Sequence, residues 1–139
     1  LEFIKGVTSG SPAVASSTPG VSTIQKLSSN KAYDDGAAYL RLKALDKAMD
    51  AFERSLALDP DNADAYNAQG VIQTQKRNYD DAIGLFTQAV GLNPQNGGFH
   101  FNLAITYNLQ GRKEDALRSY KKAISLDTSF EGQLKDLEK

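Results

Sequence analysis

The sequence predicts an all-α fold, an α-solenoid of stacked helical hairpins. Three observations carry that prediction. Residues 56–70 (LALDPDNADAYNAQG) are restated by residues 90–104 (VGLNPQNGGFHFNLA) at an offset of 34, with Leu58 over Leu92, Pro60 over Pro94 and Asn62 over Asn96. From about Asn30 onward apolar residues recur at spacings of three and four, the period of a helix that buries one face. Breaks fall regularly at Asp59-Pro60, Asn93-Pro94 and Asp127-Thr128, with lesser breaks at Lys43-Ala44, Arg77-Asn78 and Gly111-Arg112. One hairpin cannot cover its own apolar face, but stacking against the next one does, so about three repeats are the usual minimum.

Taken in order, these breaks predict helices near 30–43, 46–58, 63–76, 79–91, 97–110 and 113–126, paired as hairpins. Leu134 and Leu137 among charged residues predict a short closing helix at 130–138. Residues 1–28 have a different texture. Val7–Thr23 is rich in Ser, Gly, Pro and Thr and carries no charge, so it cannot bury enough apolar surface to offset its ordering entropy. The expectation there is a flexible or extended arm with scattered apolar anchors, Phe3, Ile4, Val7, Val14, Val21, Ile24 and Leu27, and a helical turn over Val21–Leu27. Leu1-Glu2-Phe3, with no initiating methionine, reads as a cloning scar on a fragment or processed chain.

Three ungapped windows, 29–62, 63–96 and 97–130, align position by position. The eighth position holds Gly36, Gly70 and Ala104, and the twentieth holds Ala48, Ala82 and Ala116. Small residues there let the two helices of a hairpin approach closely. The twenty-fourth holds Phe52, Phe86 and Tyr120, aromatics that fill the space between hairpins. The twenty-seventh holds Ser55, Ala89 and Ala123, and the thirty-second holds Pro60, Pro94 and Thr128. With these residues the chain resembles the tetratricopeptide repeat (TPR) family over about residues 29–130, as three consecutive repeats. It departs from the family's pattern at the fourth position (Ala32, Tyr66, His100) and the seventh (Asp35, Gln69, Leu103). The first repeat is the weakest match, so its first helix is expected to be end-exposed or altered.

Composition narrows the function classes. The 139 residues carry a net charge of −1 and a pI of about 5.8, which leaves no basic field for a nucleic-acid backbone. No apolar run approaches the ~18 residues a membrane span needs. Cysteine is absent, which removes disulfides, thiolate nucleophiles and most zinc sites. A soluble protein is expected, cytoplasmic, or periplasmic if a signal peptide was removed.

The candidate reactive groups have simpler readings. His100, the single histidine, stands where the family places a packing aromatic, with no orienting partner in the sequence. Asp80-Asp81 and Glu114-Asp115 open the second helices of their repeats, where the helix dipole favours negative charge. Asp34-Asp35 are adjacent, and adjacent helical residues point about 100° apart. Asp59–Asp64 resembles a calcium loop only briefly: proline is second and aspartate replaces the sixth-position glycine. Gly111-Arg112-Lys113 lacks the spacing of a phosphate loop, and Gly111 fits a helix stop. No enzyme, cofactor or metal is expected.

The resemblance implies where function sits. In the family, the first helix of each repeat lines a concave groove that binds peptides. Carried over, its positions are Asn30, Tyr33, Asp34, Ala37, Leu40 and Arg41 in the first repeat. The second supplies Asp64, Asn67, Ala68, Val71, Thr74 and Gln75, and the third Gly98, Phe101, Asn102, Ile105, Asn108 and Leu109. The main candidates are Tyr33, Ala37, Leu40, Arg41, Asn67, Val71, Thr74, Phe101, Asn102, Ile105 and Asn108, a mixture suited to an extended, moderately apolar protein segment. Chaperone-binding members grip a terminal carboxylate at positions that here hold Tyr33, Ala37, Ala68, Gly98 and Asn102. Only Asn102 could serve, so heat-shock chaperone tails are not expected as partners. The competing expectation is self-association or autoinhibition, with residues 1–28 filling the groove of the same or a neighbouring molecule.

Overall fold

The computed structural model describes residues 20–133. Six α-helices follow one another: α1 Thr23–Arg41, α2 Leu45–Leu58, α3 Ala63–Gln75, α4 Tyr79–Leu92, α5 Gly97–Leu109 and α6 Lys113–Leu126. A 3-10 turn, Thr128–Gln133, follows α6. Helix α1 packs on α2, α3 on α4 and α5 on α6, while α2 bridges to α3 and α4 to α5. This is the expected stack of three hairpins.

Two ends differ from the expectation. Helix α1 starts at Thr23 rather than near residue 30, so the helical turn expected over Val21–Leu27 is continuous with the first repeat helix instead of separate from it. The cause is local. The Ser22 hydroxyl accepts from the Gln25 N–H at 3.1 Å, and the Gln25 side chain accepts from the Ser22 N–H at 3.0 Å. That reciprocal cap satisfies two otherwise orphaned donors and lets the helix begin two turns early. At the other end, Thr128–Gln133 forms a 3-10 turn where the expected closing segment begins, started where the Asp127 carboxylate accepts from the Ser129 N–H at 2.9 Å. The expected arm over 1–19, and residues 134–139 of the expected closing helix, lie outside the described residues.

The hairpin turns share one geometry. The residue at the fifteenth repeat position is left-handed each time: Lys43 at φ 61°, Arg77 at 66° and Gly111 at 84°. The following N–H closes back on the carbonyl five residues earlier, Ala44 on Tyr39, Asn78 on Gln73 and Arg112 on Tyr107, at 2.8–2.9 Å. These bonds satisfy carbonyls that the helix end leaves open. Each outer helix then starts without a side-chain cap and uses first-turn acids instead: Asp46, Asp80 and Asp81, Glu114 and Asp115. The inner helices α3 and α5 start on the asparagine caps Asn62 and Asn96.

The core runs as a seam between the helix layers. Phe52, Phe86 and Tyr120 are fully buried beside Ala48, Ala82 and Ala116. A Cβ added at Gly36 or Gly70 would stand 2.6 Å from the ring of Phe52 or Phe86, closer than real side chains approach. Glycine there is a consequence of how near α1 and α3 lie to the aromatic of the paired helix. In the first repeat the base of the hairpin is polar. The Ser29 hydroxyl donates to the Ser55 carbonyl at 2.8 Å, and the Asn62 amide donates to both serine hydroxyls at 3.1 Å. Ala32, a departure from the family pattern, is nevertheless buried, and Asp35 pairs outward with Lys31 at 3.4 Å.

Candidate functional site

The helices fall into two layers. Helix α1 touches α3, and α3 touches α5, whereas the outer helices α2, α4 and α6 have no comparable contact with one another. The closer contact within this layer fits the expectation that α1, α3 and α5 line the concave side of the stack.

The apolar candidates on this side divide their area between packing and exposure. Tyr33 is half-buried with its ring 5.5 Å from that of Phe52, and Leu40 packs on the same cluster. Val71 packs against the cluster of Ala82, Phe86 and Leu103. Phe101 meets Tyr120 edge-on at 5.9 Å and stacks on Phe130 at 4.6 Å. Phe130 comes from the C-terminal 3-10 turn, whose carbonyl also accepts from the Tyr120 hydroxyl. Phe101 is therefore partly covered by the end of the solenoid. Ala37 and Ile105 are half-buried, and Arg41 and Leu109 are exposed. Ala68 is buried in the first cluster and offers no contact surface.

The polar candidates are joined across helices. The Asn102 amide donates to the Asn67 side-chain oxygen at 2.8 Å, which ties α5 to α3. The hydroxyls of Thr74 and Thr106 meet at 3.1 Å a little further along, and Thr106 also donates to the Asn102 carbonyl at 2.8 Å. Asn108 accepts from Lys113 at 3.4 Å. An amide pair of this kind consumes one donor and one acceptor. It leaves the Asn67 N–H2 and a lone-pair side of Asn102 open, the two functions a passing peptide bond requires.

The charges on this side are unevenly placed. Asp34 and Asp64 are exposed, and both press on the Tyr33 phenol. Its pKa lies above the ordinary tyrosine value, first because burial disfavours the phenolate and then because these two carboxylates repel it. Arg41 is the one cation among the inner-face positions and lies in the last turn of α1.

The groups that could suggest chemistry are otherwise engaged. The His100 imidazole lies 3.0 Å from the Pro94 carbonyl and fastens the start of α5 to the loop before it. Asp80 accepts from Gln110 at 2.8 Å. Asp115 binds Arg112 at 2.8 Å and Arg118 at 2.6 Å, and these guanidinium groups hold its carboxyl below the usual aspartate value. Among the described residues no group of three His, Asp or Glu is placed to hold a metal ion, and no helix is long and apolar enough to cross a membrane. Met49 and Glu53 of α2 and Leu85 and Gln88 of α4, together with Gln69 and Gln73 of α3, line a cleft of roughly 400 Å³.

Sequence reasoning reached the inner-face positions by analogy but missed their mutual bonds. Asn67 and Asn102 are offset by one repeat plus one residue, and Thr74 and Thr106 by one repeat less two. That near-repeat of polar types was the available signal. Phe130 was missed because an isolated aromatic after the last break shows no period.

Comparison with known families agrees with the geometry. Models of the tetratricopeptide repeat match residues 36–62 and 67–129. The chain belongs to the tetratricopeptide repeat family. Among solved structures, this TPR chain superposes on a crystal structure of MamA with a TM-score of 0.69 at 24% identity, covering 76% of this chain and 61% of that one. A point mutant of MamA gives 0.64 at 31% identity, covering 71% and 72%. The first TPR domain of Spaghetti (RPAP3), bound to an HSP90 peptide, gives 0.76 at 16% identity, covering 81% and 92%, which is a likeness of fold. The chain thus spans about three fifths of the first MamA structure's length. No curated protein matches the sequence. The TPR fold makes this chain a protein-interaction module.

Proposed function

We propose that the concave face of α1, α3 and α5 binds an extended segment of another protein and that the chain acts as an adaptor or scaffold. The observation that carries this reading is the Asn67–Asn102 pair, which presents one open donor and one open acceptor beside half-exposed Val71 and Ile105. Backbone-directed amides next to apolar patches suit a chain whose side chains alternate between the surface and solvent. The acidic HSP90 peptide of the Spaghetti complex, which ends Glu-Glu-Val-Asp, is a poor fit here. The positions that would clamp its carboxylates hold Tyr33, Ala37, Ala68, Gly98 and Asn102, and Asp34 and Asp64 stand beside them.

The experiment is retention of end-capped randomised decapeptides by the full chain and by an Asn67→Ala, Asn102→Ala, Ile105→Ala variant. Phe101 is left intact because it stacks on Phe130. Retention lost in a variant that still melts cooperatively supports the groove. Equal retention by both proteins removes it.

The second reading, self-association through residues 1–28, rests on Ile24 and Leu27, which leave 76% and 64% of their surface exposed near the start of α1. Ile24→Ser with Leu27→Ser checks it: a lower solution mass supports the reading, and an unchanged one dismisses it.

A further inference from the structure

The third inner helix is covered differently from the first two. Tyr33, Asn67 and Phe101 share one repeat position. Helix α3 lies beside α1, and α5 beside α3. Beside α5 no further inner helix follows among the described residues. The cover on Phe101 is one side chain, Phe130, whose ring stacks on it with centroids 4.6 Å apart and planes 15° from parallel. A Cβ added at Gly97, one turn before Phe101, would stand 3.3 Å from the same ring. The Tyr120 hydroxyl donates to the Phe130 carbonyl, and the Tyr120 ring meets Phe101 edge-on at 5.9 Å. Gly97, Phe101 and Tyr120 thus form a seat for the ring and the carbonyl of one aromatic residue.

Phe130 does not belong to the repeating pattern. One and two repeat lengths before it stand Asn96 and Asn62, whose side chains cap α5 and α3. At Phe130 that cap is replaced by a ring laid back on the inner helix. The turn carrying the ring is lightly held. None of the six residues of Thr128–Gln133 is buried, and residues 131–133 are exposed. A segment with few buried contacts opens locally at low free-energy cost. Stacking depends on ring geometry and not on which chain supplies the ring. A carbonyl from any backbone likewise satisfies the Tyr120 hydroxyl.

We propose that Gly97, Phe101 and Tyr120 form an aromatic subsite at the end of the groove, that Phe130 is its resident occupant, and that a partner segment places an aromatic side chain there in exchange for Phe130. This rests on the groove reading above and adds to it a side-chain class and a built-in competitor. Asn102, next to Phe101 in the chain, carries the amide pair close to this subsite. A protein whose open form is a minor fraction binds with an affinity lowered by that fraction, so the resident ring weakens aromatic binding and its removal strengthens it.

The test uses two end-capped decapeptide pools randomised from non-aromatic residues, one with a fixed central phenylalanine and one with a fixed central leucine. They are passed over the full chain, Phe130→Ala, and the double variant Phe130→Ala, Phe101→Ala. Phe130→Ala should retain the phenylalanine pool roughly threefold or more better than the unaltered chain does, with a smaller gain for the leucine pool. The double variant should lose that gain. An unchanged or lower retention of the phenylalanine pool by Phe130→Ala, or an equal gain for both pools, overturns the proposal and leaves the groove in place. The exchange is also read in the unaltered chain, independently of how the variants fold. Nuclear Overhauser contacts between the Phe101 and Phe130 rings should weaken with the phenylalanine pool and persist with the leucine pool. Contacts that persist with both, or are lost with both, overturn the proposal. If neither pool is held above a blank surface by any of the proteins, the groove itself fails and this proposal falls with it.

Discussion

The seam between the helix layers and the inner face of the same helices differ in one respect: the seam repeats and the face does not. At the seam, Gly36, Gly70 and Ala104 oppose Phe52, Phe86 and Tyr120, with Ala48, Ala82 and Ala116 beside them. On the face, Tyr33, Asn67 and Phe101 share one repeat position, and Asp34, Ala68 and Asn102 share the next. Each hairpin solves the same packing problem, so its solution recurs. A bound segment would present different chemistry to each repeat, and the face varies accordingly. On the proposed groove reading, the residues that vary between repeats are those that would select a partner.

Breaking the seam should have the largest effect. Phe86 is 1% exposed, and Phe86→Ala should cost about 3–5 kcal/mol, read as a lower urea midpoint. Ala82→Leu overpacks the same hairpin and should cost roughly 1–3 kcal/mol; an unchanged melt would place Ala82 elsewhere. The turns sharpen the comparison from the other side, because there the repeat is imperfect. Arg77 holds a left-handed conformation that Gly111 adopts without a side chain. Arg77→Gly should therefore stabilise by about 1 kcal/mol, since the left-handed region costs a Cβ-bearing residue about that much.

Surface charge gives the smallest effect. Asp115 has a depressed carboxyl pKa because Arg118 and Arg112 bind the charged form. Whatever it contributes is present at neutral pH and is lost as pH falls through the folded-state value. Its carboxyl carbon should titrate below an ordinary aspartate by NMR, and Arg118→Ala should move it back up. Asp115→Asn should leave the melting temperature at neutral pH almost unchanged, because exposed pairs contribute little.

Most of the fold was legible because the seam is local and periodic. The breaks at Asp59-Pro60 and Asn93-Pro94 mark where outer helices end, and the interior helix limits fall within two residues of the expected ones. The two ends were legible only in part: a helical turn over Val21–Leu27 was expected, but not its continuity with α1. Ser22 and Gln25 form a capping box inside a Ser- and Thr-rich stretch, where composition pointed to an arm and only the three-residue spacing pointed to a helix start. At the other end a 3-10 turn has no apolar period to betray it. On the face, family position identified the helices and residue types. It could not show that Asn67 and Asn102 bond each other, or that Phe101 is claimed by Phe130. Those contacts join different repeats, and a one-residue shift between neighbouring helices is set by packing.

The central claim is that the unrepeated inner face, and not the cleft lined by α2, α3 and α4, is the docking surface. The direct measurement is amide NMR of the full chain titrated with the end-capped randomised decapeptides. The account predicts shifts concentrated at Asp64, Asn67, Val71, Asn102 and Ile105. Shifts concentrated instead at Met49, Glu53, Leu85 and Gln88, with the inner face silent, would contradict it.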